Sequence, residues 1–151
     1  MDPISSRDVL YEARIDLTKV IEFGVSLDSL VSQQSTPPPE GARFDVEFNG
    51  EVKGARVAGT VAGVDYVHVR ADGRFQLHIH GVIVTTDGAS IAMFADGVTS
   101  SGTQAHIQEL RENITLTTSS EAYSWLNPLQ IWGIGTVNLQ AMQVHVRAYV
   151  A

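Results

Sequence analysis

The 151-residue chain contains no cysteine. Without thiols it can form no disulfide, zinc–thiolate site or iron–sulfur cluster, and it has no cysteine nucleophile. Disulfide-free chains are typical of reducing compartments. The N-terminal stretch "MDPISSRDVLYEARIDL" also lacks the basic segment and apolar segment of a secretory signal. We therefore expect a cytoplasmic protein.

Positive charge is scarce as well. Ten Lys and Arg residues stand against seventeen Asp and Glu residues, so the formal net charge is −7. Because binding to a polyanion normally depends on a basic patch, and the basic residues here are scattered, we expect no nucleic-acid partner. No apolar run approaches the roughly 18 residues that a membrane-spanning helix needs. We therefore expect no membrane partner either.

The residues that are present describe a globular protein. Hydrophobic residues make up 44% of the chain and charged residues 18%, which favours a packed core over disorder. A chain of this length forms one domain by the usual size relation. We predict a single domain over residues 1–151.

Apolar and polar residues alternate with a period of two along much of the chain. The clearest examples are "YEARIDL" at 11–17, "RFDVEFN" at 43–49 and "MQVHVRAYV" at 142–150, and each predicts a half-buried strand. Asp-Gly pairs at 72–73, 87–88 and 96–97 favour tight turns. Since closing a sheet removes its exposed edges, we predict an all-β fold, an antiparallel β-barrel with meander connections.

Two segments interrupt this pattern. "VSLDSLVSQQSTPPPEG" at 25–41 predicts one or two helical turns with Ser26 as the N-cap, ended by the three prolines. This segment is either a lid over a pocket or a crossover loop. "SSEAYSWLNP" at 119–128 predicts a short helical turn capped by Ser119 or Ser120 and ended by Pro128.

Three of the five histidines lie in "DYVHVRADGRFQLHIHGVIVTTDG", residues 65–88. A three-residue turn at 71–73 would place His68 opposite Gln76 and Val64 opposite His80. Because successive strand residues point to opposite faces, one face then carries Tyr66, His68, Arg70, Arg74, Gln76, His78 and His80. The other face carries Val67, Val69, Phe75, Leu77, Ile79 and Ile83.

The histidine face is predicted to continue into apolar residues. A two-residue turn at 87–88 would add Val82, Val84, Ile91 and Met93 to it. A face that changes from charged to apolar is typical of a pocket wall. We therefore predict that His78 and His80 point into a hollow inside the barrel, although a one-residue shift of register would reverse this orientation.

The order of these motifs resembles the bacterial and fungal family called domain of unknown function 3237. The matching positions run over residues 41–150: Gly41 and Arg43, Gly50, Gly54, Gly59 and Val61, Gly63, Asp65 and Tyr66, Arg70, Asp72 and Gly73, Thr85, Asp87 and Gly88, "YSWLN" at 123–127 and "WGIGTV" at 132–137. The resemblance implies a compact β-barrel, commonly a homodimer. It also implies a pocket near Asp65, Tyr66 and the Trp-Leu-Asn segment.

Two kinds of chemistry suit the histidine face. A metal site would use His78, His80 and His68, but Asp65 lies on the opposite face and no second cluster supports it, so we predict no metal. Acid–base catalysis without a cofactor would use His80 and His78 as base or acid, with Tyr66 and Asp65 orienting them. The predicted ligand contacts are His68, Val82, Met93, Tyr123, Trp125 and Asn127.

Three functions remain open from the sequence. The first is an isomerase, cyclase or lyase that acts by proton transfer on a small, largely apolar molecule. The second is a module that binds such a molecule without chemistry. The third is a structural dimer whose histidines are solvated. A closed cavity with a titratable group of perturbed pKa favours the enzyme, and absence of a cavity favours the structural dimer.

Overall fold

The computed structural model describes residues 8–102, 104 and 106–151 of the chain. These residues form eight strands, one short α-helix and one 3₁₀ turn. The strands are β1 (Val9–Glu22), β2 (Ala42–Lys53), β3 (Gly59–Val69), β4 (Phe75–Thr85), β5 (Ser90–Ser101), β6 (Ile107–Thr117), β7 (Ile131–Asn138) and β8 (Gln143–Val150). The helix α1 (Leu27–Val31) follows β1, and the 3₁₀ turn (Ser124–Leu126) lies between β6 and β7. In the described part of the chain, no helix has the length and apolarity required to cross a bilayer.

The strands close into one antiparallel barrel in chain order. Each strand pairs with the next along the chain, and β1 pairs with β8 to close the sheet. The predicted antiparallel meander barrel is confirmed. Closure gives each of the eight described strands a hydrogen-bonded neighbour on both sides.

The period-two pattern sorts side chains between the interior and solvent. In β2, Phe44, Val46 and Phe48 are buried, as the alternation in "RFDVEFN" predicts. Inward residues from all eight strands form one continuous core. The interior is therefore dominated by Val, Ile, Leu and Phe side chains, and a polar group that faces inward there is largely removed from water.

The β3–β4 hairpin has the predicted register. The Arg70 N–H donates to the Arg74 carbonyl at 2.8 Å, which defines the three-residue turn. His68 pairs with Gln76, and Val64 pairs with His80. The two strands therefore present the two faces that the sequence predicts.

The β4–β5 turn is one residue longer than predicted. The Thr85 N–H donates to the Ala89 carbonyl, and the Ala89 N–H donates to Thr85 Oγ1 at 2.8 Å. The buried Thr85 hydroxyl thus fixes a three-residue turn, with Gly88 at φ +93°. The predicted register is wrong by one residue, and Ile91 and Met93 face the interior instead of joining the histidine face.

The two ends of the barrel are covered differently. At one end lies α1, whose N-cap is Ser26 as predicted: its hydroxyl accepts from the Ser29 N–H at 3.2 Å. At the other end the 3₁₀ turn buries Leu126 completely. The helical turn predicted there is present, but its N-cap position is Tyr123 and neither Ser119 nor Ser120 caps it, because no side-chain cap bond forms.

Candidate active site inside the barrel

The predicted orientation of the histidine face is wrong. Tyr66, His68, His78 and His80 lie on the outer surface of the barrel, and Tyr66 is 39% exposed. The opposite face of the same strands is more apolar throughout, so burying it removes more apolar surface from water. Barrel closure therefore turns Val67, Val69 and Leu77 inward.

Outside, the rings form a cluster. The ring centroids of His78 and His80 are 5.1 Å apart, and each lies 5.3 Å from the ring of Phe94. Tyr66 contacts His80 edge-on at 5.9 Å. We call Tyr66, His78, His80 and Phe94 the outer aromatic cluster. Their predicted catalytic role stays a prediction, but the sheltered hollow on which it depended lies on the other side of the sheet.

The interior holds a cavity of about 80 Å³. All eight strands contribute to its wall, together with Leu27 of α1. Only a few of the lining residues are polar: Tyr11, Asp65, Thr99, Gln108 and Glu112. A cavity of roughly 150 Å³ suffices for a benzene ring in an apolar core, so this cavity fits a smaller group than that.

Asp65 is the one predicted catalytic residue that faces the cavity. It lies on β3 between Val46 of β2 and Ile79 of β4, opposite to the histidines as the alternation predicts. Its Oδ1 accepts a hydrogen bond from the His78 N–H at 2.9 Å. Burial raises the pKa of Asp65 from 3.8 to about 7, although this hydrogen bond acts in the opposite direction.

Glu112 is a second carboxyl group in the same cavity. It lies on β6 and pairs with Gly97 of β5 and Gly133 of β7. A Cβ at Gly133 would lie 2.6 Å from Glu112 Cγ and 2.9 Å from Oε1, so the glycine gives the side chain its space. Within the described residues, Glu112 Oε2 is buried without a hydrogen-bond partner. Burial, followed by the charges of Asp65 and Asp96, raises the pKa of Glu112 to about 8.

These two carboxyl groups can hold a proton at neutral pH. Each side chain lines the largely apolar cavity and is only partly exposed, and the charge of Asp65 disfavours ionisation of Glu112. A pair of this kind releases its protons in two steps, and near pH 7 one neutral acid and one carboxylate coexist. The cavity therefore contains both partners that a proton transfer requires.

Sequence reasoning missed Glu112. In "LRENITL" at 110–116, the buried residues Leu110, Ile114 and Leu116 share one phase of the alternation with Glu112. The sequence signal that could have identified Glu112 is a carboxyl group at a position where the alternation of the strand predicts an inward, apolar residue. Polar residues at 111 and 113 on the other phase masked it.

Some of the predicted ligand contacts lie in the cavity wall and others lie outside it. Met93 lines the cavity, whereas Val82 is 45% exposed on the outer face. Tyr123, Trp125 and Asn127 lie outside the cavity wall and brace the β6–β7 connection.

Their hydrogen bonds account for that position. The Tyr123 hydroxyl donates to Asp87 Oδ1 at 2.8 Å, and Trp125 Nε1 donates to the Ala122 carbonyl at 3.1 Å. The Asn127 amide bonds both backbone groups of Thr118. The contacts of these three side chains are structural, and a ligand contact there stays a prediction.

Residues 8–102, 104 and 106–151 contain no group of side chains arranged to bind a metal ion. There, no three His, Asp or Glu side chains lie together in a geometry that could hold a metal ion.

Comparison with known proteins adds a family and a fold. A family model described as a protein of unknown function, DUF3237, matches residues 15–151. The hydroalkoxylation enzyme phnH of Penicillium herquei is 36% identical over 85 residues, which are 56% of this chain and 50% of that protein. The chain thus spans about half the length of this curated relative.

Solved structures with the same fold share little sequence. A protein of unknown function from Clostridium acetobutylicum has a TM-score of 0.78 at 20% identity, covering 95% of this chain and 96% of its own. A β-barrel-like protein from Acinetobacter baumannii has a TM-score of 0.77 at 22% identity, covering 95% and 93%. An enzyme from Penicillium herquei has a TM-score of 0.66 at 21% identity, covering 93% and 92%. At these identities the likeness concerns the fold alone.

Proposed function

The chain belongs to the DUF3237 family of proteins of unknown function, and we propose that it is an enzyme that transfers protons within a small, largely apolar molecule held inside the barrel. The observation that supports this proposal is the pair of desolvated carboxyl groups, Asp65 and Glu112, that line a largely apolar cavity. Burying two ionisable groups costs stability, and such a cost is typical of a functional site.

The two carboxyl groups have different roles. Asp65 has the lower pKa of the two and accepts the His78 N–H, so it is the carboxylate that removes a proton. Glu112 has the higher pKa, about 8, and an unpartnered oxygen, so it is the neutral acid that donates toward the ligand. Both pKa values lie close to neutral pH, where a general acid and a general base are most effective.

The name of the curated relative indicates a reaction that fits this pair. Hydroalkoxylation adds the O–H of a hydroxyl group across a carbon–carbon double bond. In this chain Asp65 would take the hydroxyl proton as the ligand oxygen bonds to one carbon of the double bond. Asp65 returns this proton to the other carbon, and Glu112 donates a hydrogen bond to the negative charge that develops. The product is an isomer of the substrate, so the step requires no oxidant or reductant.

The ligand enters through a movable wall. The cavity of about 80 Å³ is smaller than a benzene site of roughly 150 Å³. Leu27 of α1 lines the cavity and belongs to the short helix at one barrel end. We propose that this helix is the lid that the sequence suggests, and that it moves when a ligand binds.

The first experiment measures the two pKa values without a ligand. Carbon-13 NMR of side-chain carboxyl groups, titrated from pH 3 to pH 10, should show two resonances with midpoints near neutral pH. Asp65→Asn and Glu112→Gln assign them, and Glu51→Gln, an exposed residue on β2, is the control. If both groups titrate in the ordinary acid range, the proposed acid–base pair does not exist.

The second experiment measures turnover. The probe is 1-(2-hydroxyphenyl)-3-methylbut-2-en-1-one, an uncharged molecule with one hydroxyl group and a double bond conjugated to a carbonyl group, and the product is its isomer 2,2-dimethylchroman-4-one. Glu112→Gln should lower the rate by roughly 10²- to 10⁴-fold, the usual contribution of a general acid. Equal rates for Glu112→Gln and Glu51→Gln would contradict the proposal. Binding of the probe without conversion would favour the binding module instead.

A further inference from the structure

Tyr11 lines the same cavity and has no part in the roles assigned above. Its side chain is 2% exposed. The β1–β8 register shifts between Val9 and Tyr11, so Leu10 is an extra residue in β1 and both Leu10 and Tyr11 are buried. Tyr11 keeps the inward phase of Ala13 and Ile15, which line the same cavity, and the extra residue Leu10 lies beside it. Bulges are frequent beside active sites.

Small residues separate Tyr11 from Glu112. Across the sheet, Glu112 pairs with Gly133, Gly133 pairs with Ala148, and Ala148 pairs with Tyr11. The Glu112 side chain extends over Gly133, since a Cβ there would lie 2.9 Å from its Oε1. The glycine and the alanine therefore leave a gap over which the carboxyl and the phenol approach each other from opposite sides.

Both groups are hydrogen-bond donors at neutral pH. Burial and the nearby charge of Glu112 raise the pKa of Tyr11 further above its usual value of 10.0, so it remains a phenol. Glu112 keeps its proton for the reasons given above. A phenol and a protonated carboxylic acid that converge in an apolar cavity form an arrangement known to stabilise an enolate oxygen.

We propose that Tyr11 and Glu112 together bind a carbonyl oxygen of the substrate, and that the substrate class is therefore an uncharged carbonyl compound whose double bond is conjugated to that carbonyl. This inference rests on the proposed function and identifies its substrate. Asp65 takes the proton of the ligand hydroxyl, whose oxygen bonds to the β-carbon. The π electrons of the double bond move to the carbonyl oxygen, which Tyr11 and Glu112 stabilise. The α-carbon then takes the proton from Asp65, so no atom or electron is gained or lost.

A phenolate oxygen resembles an enolate oxygen, so the test uses 4-nitrophenol. Its absorbance near 400 nm reports both binding and ionisation. The parent protein for this test is the Asp65→Asn variant, because a neutral residue there imitates the base after it has taken up its proton. This variant should bind the phenolate at least tenfold more tightly than the unaltered chain.

The critical comparison is Tyr11→Phe in the Asp65→Asn background. Loss of one hydrogen bond to a charged oxygen should weaken 4-nitrophenolate binding by roughly ten- to a hundredfold. Nitrobenzene, which lacks the hydroxyl group, should bind both proteins equally. Tyr149→Phe, on the outward phase of β8, is the matched control and should change neither affinity.

Three results would overturn the inference. Equal 4-nitrophenolate affinities with and without the Tyr11 hydroxyl would remove Tyr11 from the site. An equal loss for nitrobenzene would show that Tyr11 only shapes the cavity. Failure of the Asp65→Asn protein to bind 4-nitrophenolate would show that no oxyanion site exists. In all three cases near-neutral midpoints in the carboxyl titration would leave the proposed function intact.

Discussion

Strands β3 and β4 carry opposite chemistry on their two faces. The outer face has conspicuous titratable residues, His78 and His80, which contact one another and Phe94 in solvent. The inner face has a single carboxyl group, Asp65, among valine, leucine and isoleucine side chains. Desolvation raises the pKa of that carboxyl to about 7. The comparison shows that burial of a single titratable group changes its pKa more than clustering of several exposed groups does, because water screens the charge of an exposed group.

The largest expected effect is a difference in turnover rate between variants of the inner face and variants of the outer face. Asp65→Asn should reduce conversion of 1-(2-hydroxyphenyl)-3-methylbut-2-en-1-one by roughly 10²- to 10⁴-fold, since the base is lost while the side chain keeps its size. His78→Ala combined with His80→Ala should leave the rate within about twofold, as ordinary surface changes do. The rates are measured by chromatography of the product. The reverse order of effects would return the active site to the outer aromatic cluster.

The next effect is a dependence of stability on pH. The folded pKa values of Asp65 and Glu112 are raised from 3.8 and 4.5 to about 7 and about 8. Between these values the native state retains protons that the unfolded chain has released, so the free energy of unfolding falls as pH rises from about 4 to 8. At 1.36 kcal/mol per pKa unit the loss amounts to several kcal/mol.

Amide variants test this dependence. Asp65→Asn and Glu112→Gln should each melt at a higher temperature than the unaltered chain at pH 8, on the order of 5–10 °C for a few kcal/mol. At pH 3 the difference should nearly disappear, because both carboxyl groups are then largely protonated in either state. Scanning calorimetry with Glu51→Gln as the control provides the measurement. A gain of equal size at both pH values would exclude desolvated carboxylates as its cause.

Much of the fold follows from the sequence, and the location of the site does not. The alternation in "RFDVEFN" and the turn at 71–73 predict strands and a register that the structure confirms. The orientation of that hairpin depends on the apolar area of all eight strands together, which a local pattern does not contain. The alternation in "YEARIDL" places Tyr11 on the inward phase with Ala13, but it does not show that Tyr11 lies across the barrel wall from Glu112, because that placement depends on the pairing of β6, β7, β8 and β1.

A smaller effect on the free energy of unfolding is expected at Gly133, whose missing side chain leaves space for Glu112. The Cβ of Gly133→Ala would lie 2.6 Å from Glu112 Cγ and 3.0 Å from Ile114 Cδ1, so the Glu112 side chain must move. Overpacking of this kind costs about 1–3 kcal/mol of unfolding free energy. In the Glu112→Ala background the same substitution should cost much less, and urea unfolding of the four proteins measures the coupling. An unchanged cost would show that Gly133 does not make room for the carboxyl group.

The smallest effect is expected at the outer aromatic cluster. His80→Ala removes exposed ring contacts of 5.1–5.9 Å, and such a loss should lower the free energy of unfolding by less than about 1 kcal/mol. Ile83→Ala is the matched change on the inner face of the same strand. Its side chain is fully buried, so it should cost about 2–5 kcal/mol. Urea unfolding compares the two variants, and light scattering tests the homodimer expected from the family resemblance. If His80→Ala costs as much as Ile83→Ala, and its melting temperature depends on protein concentration, the outer aromatic cluster belongs to a subunit interface and is not a solvated surface.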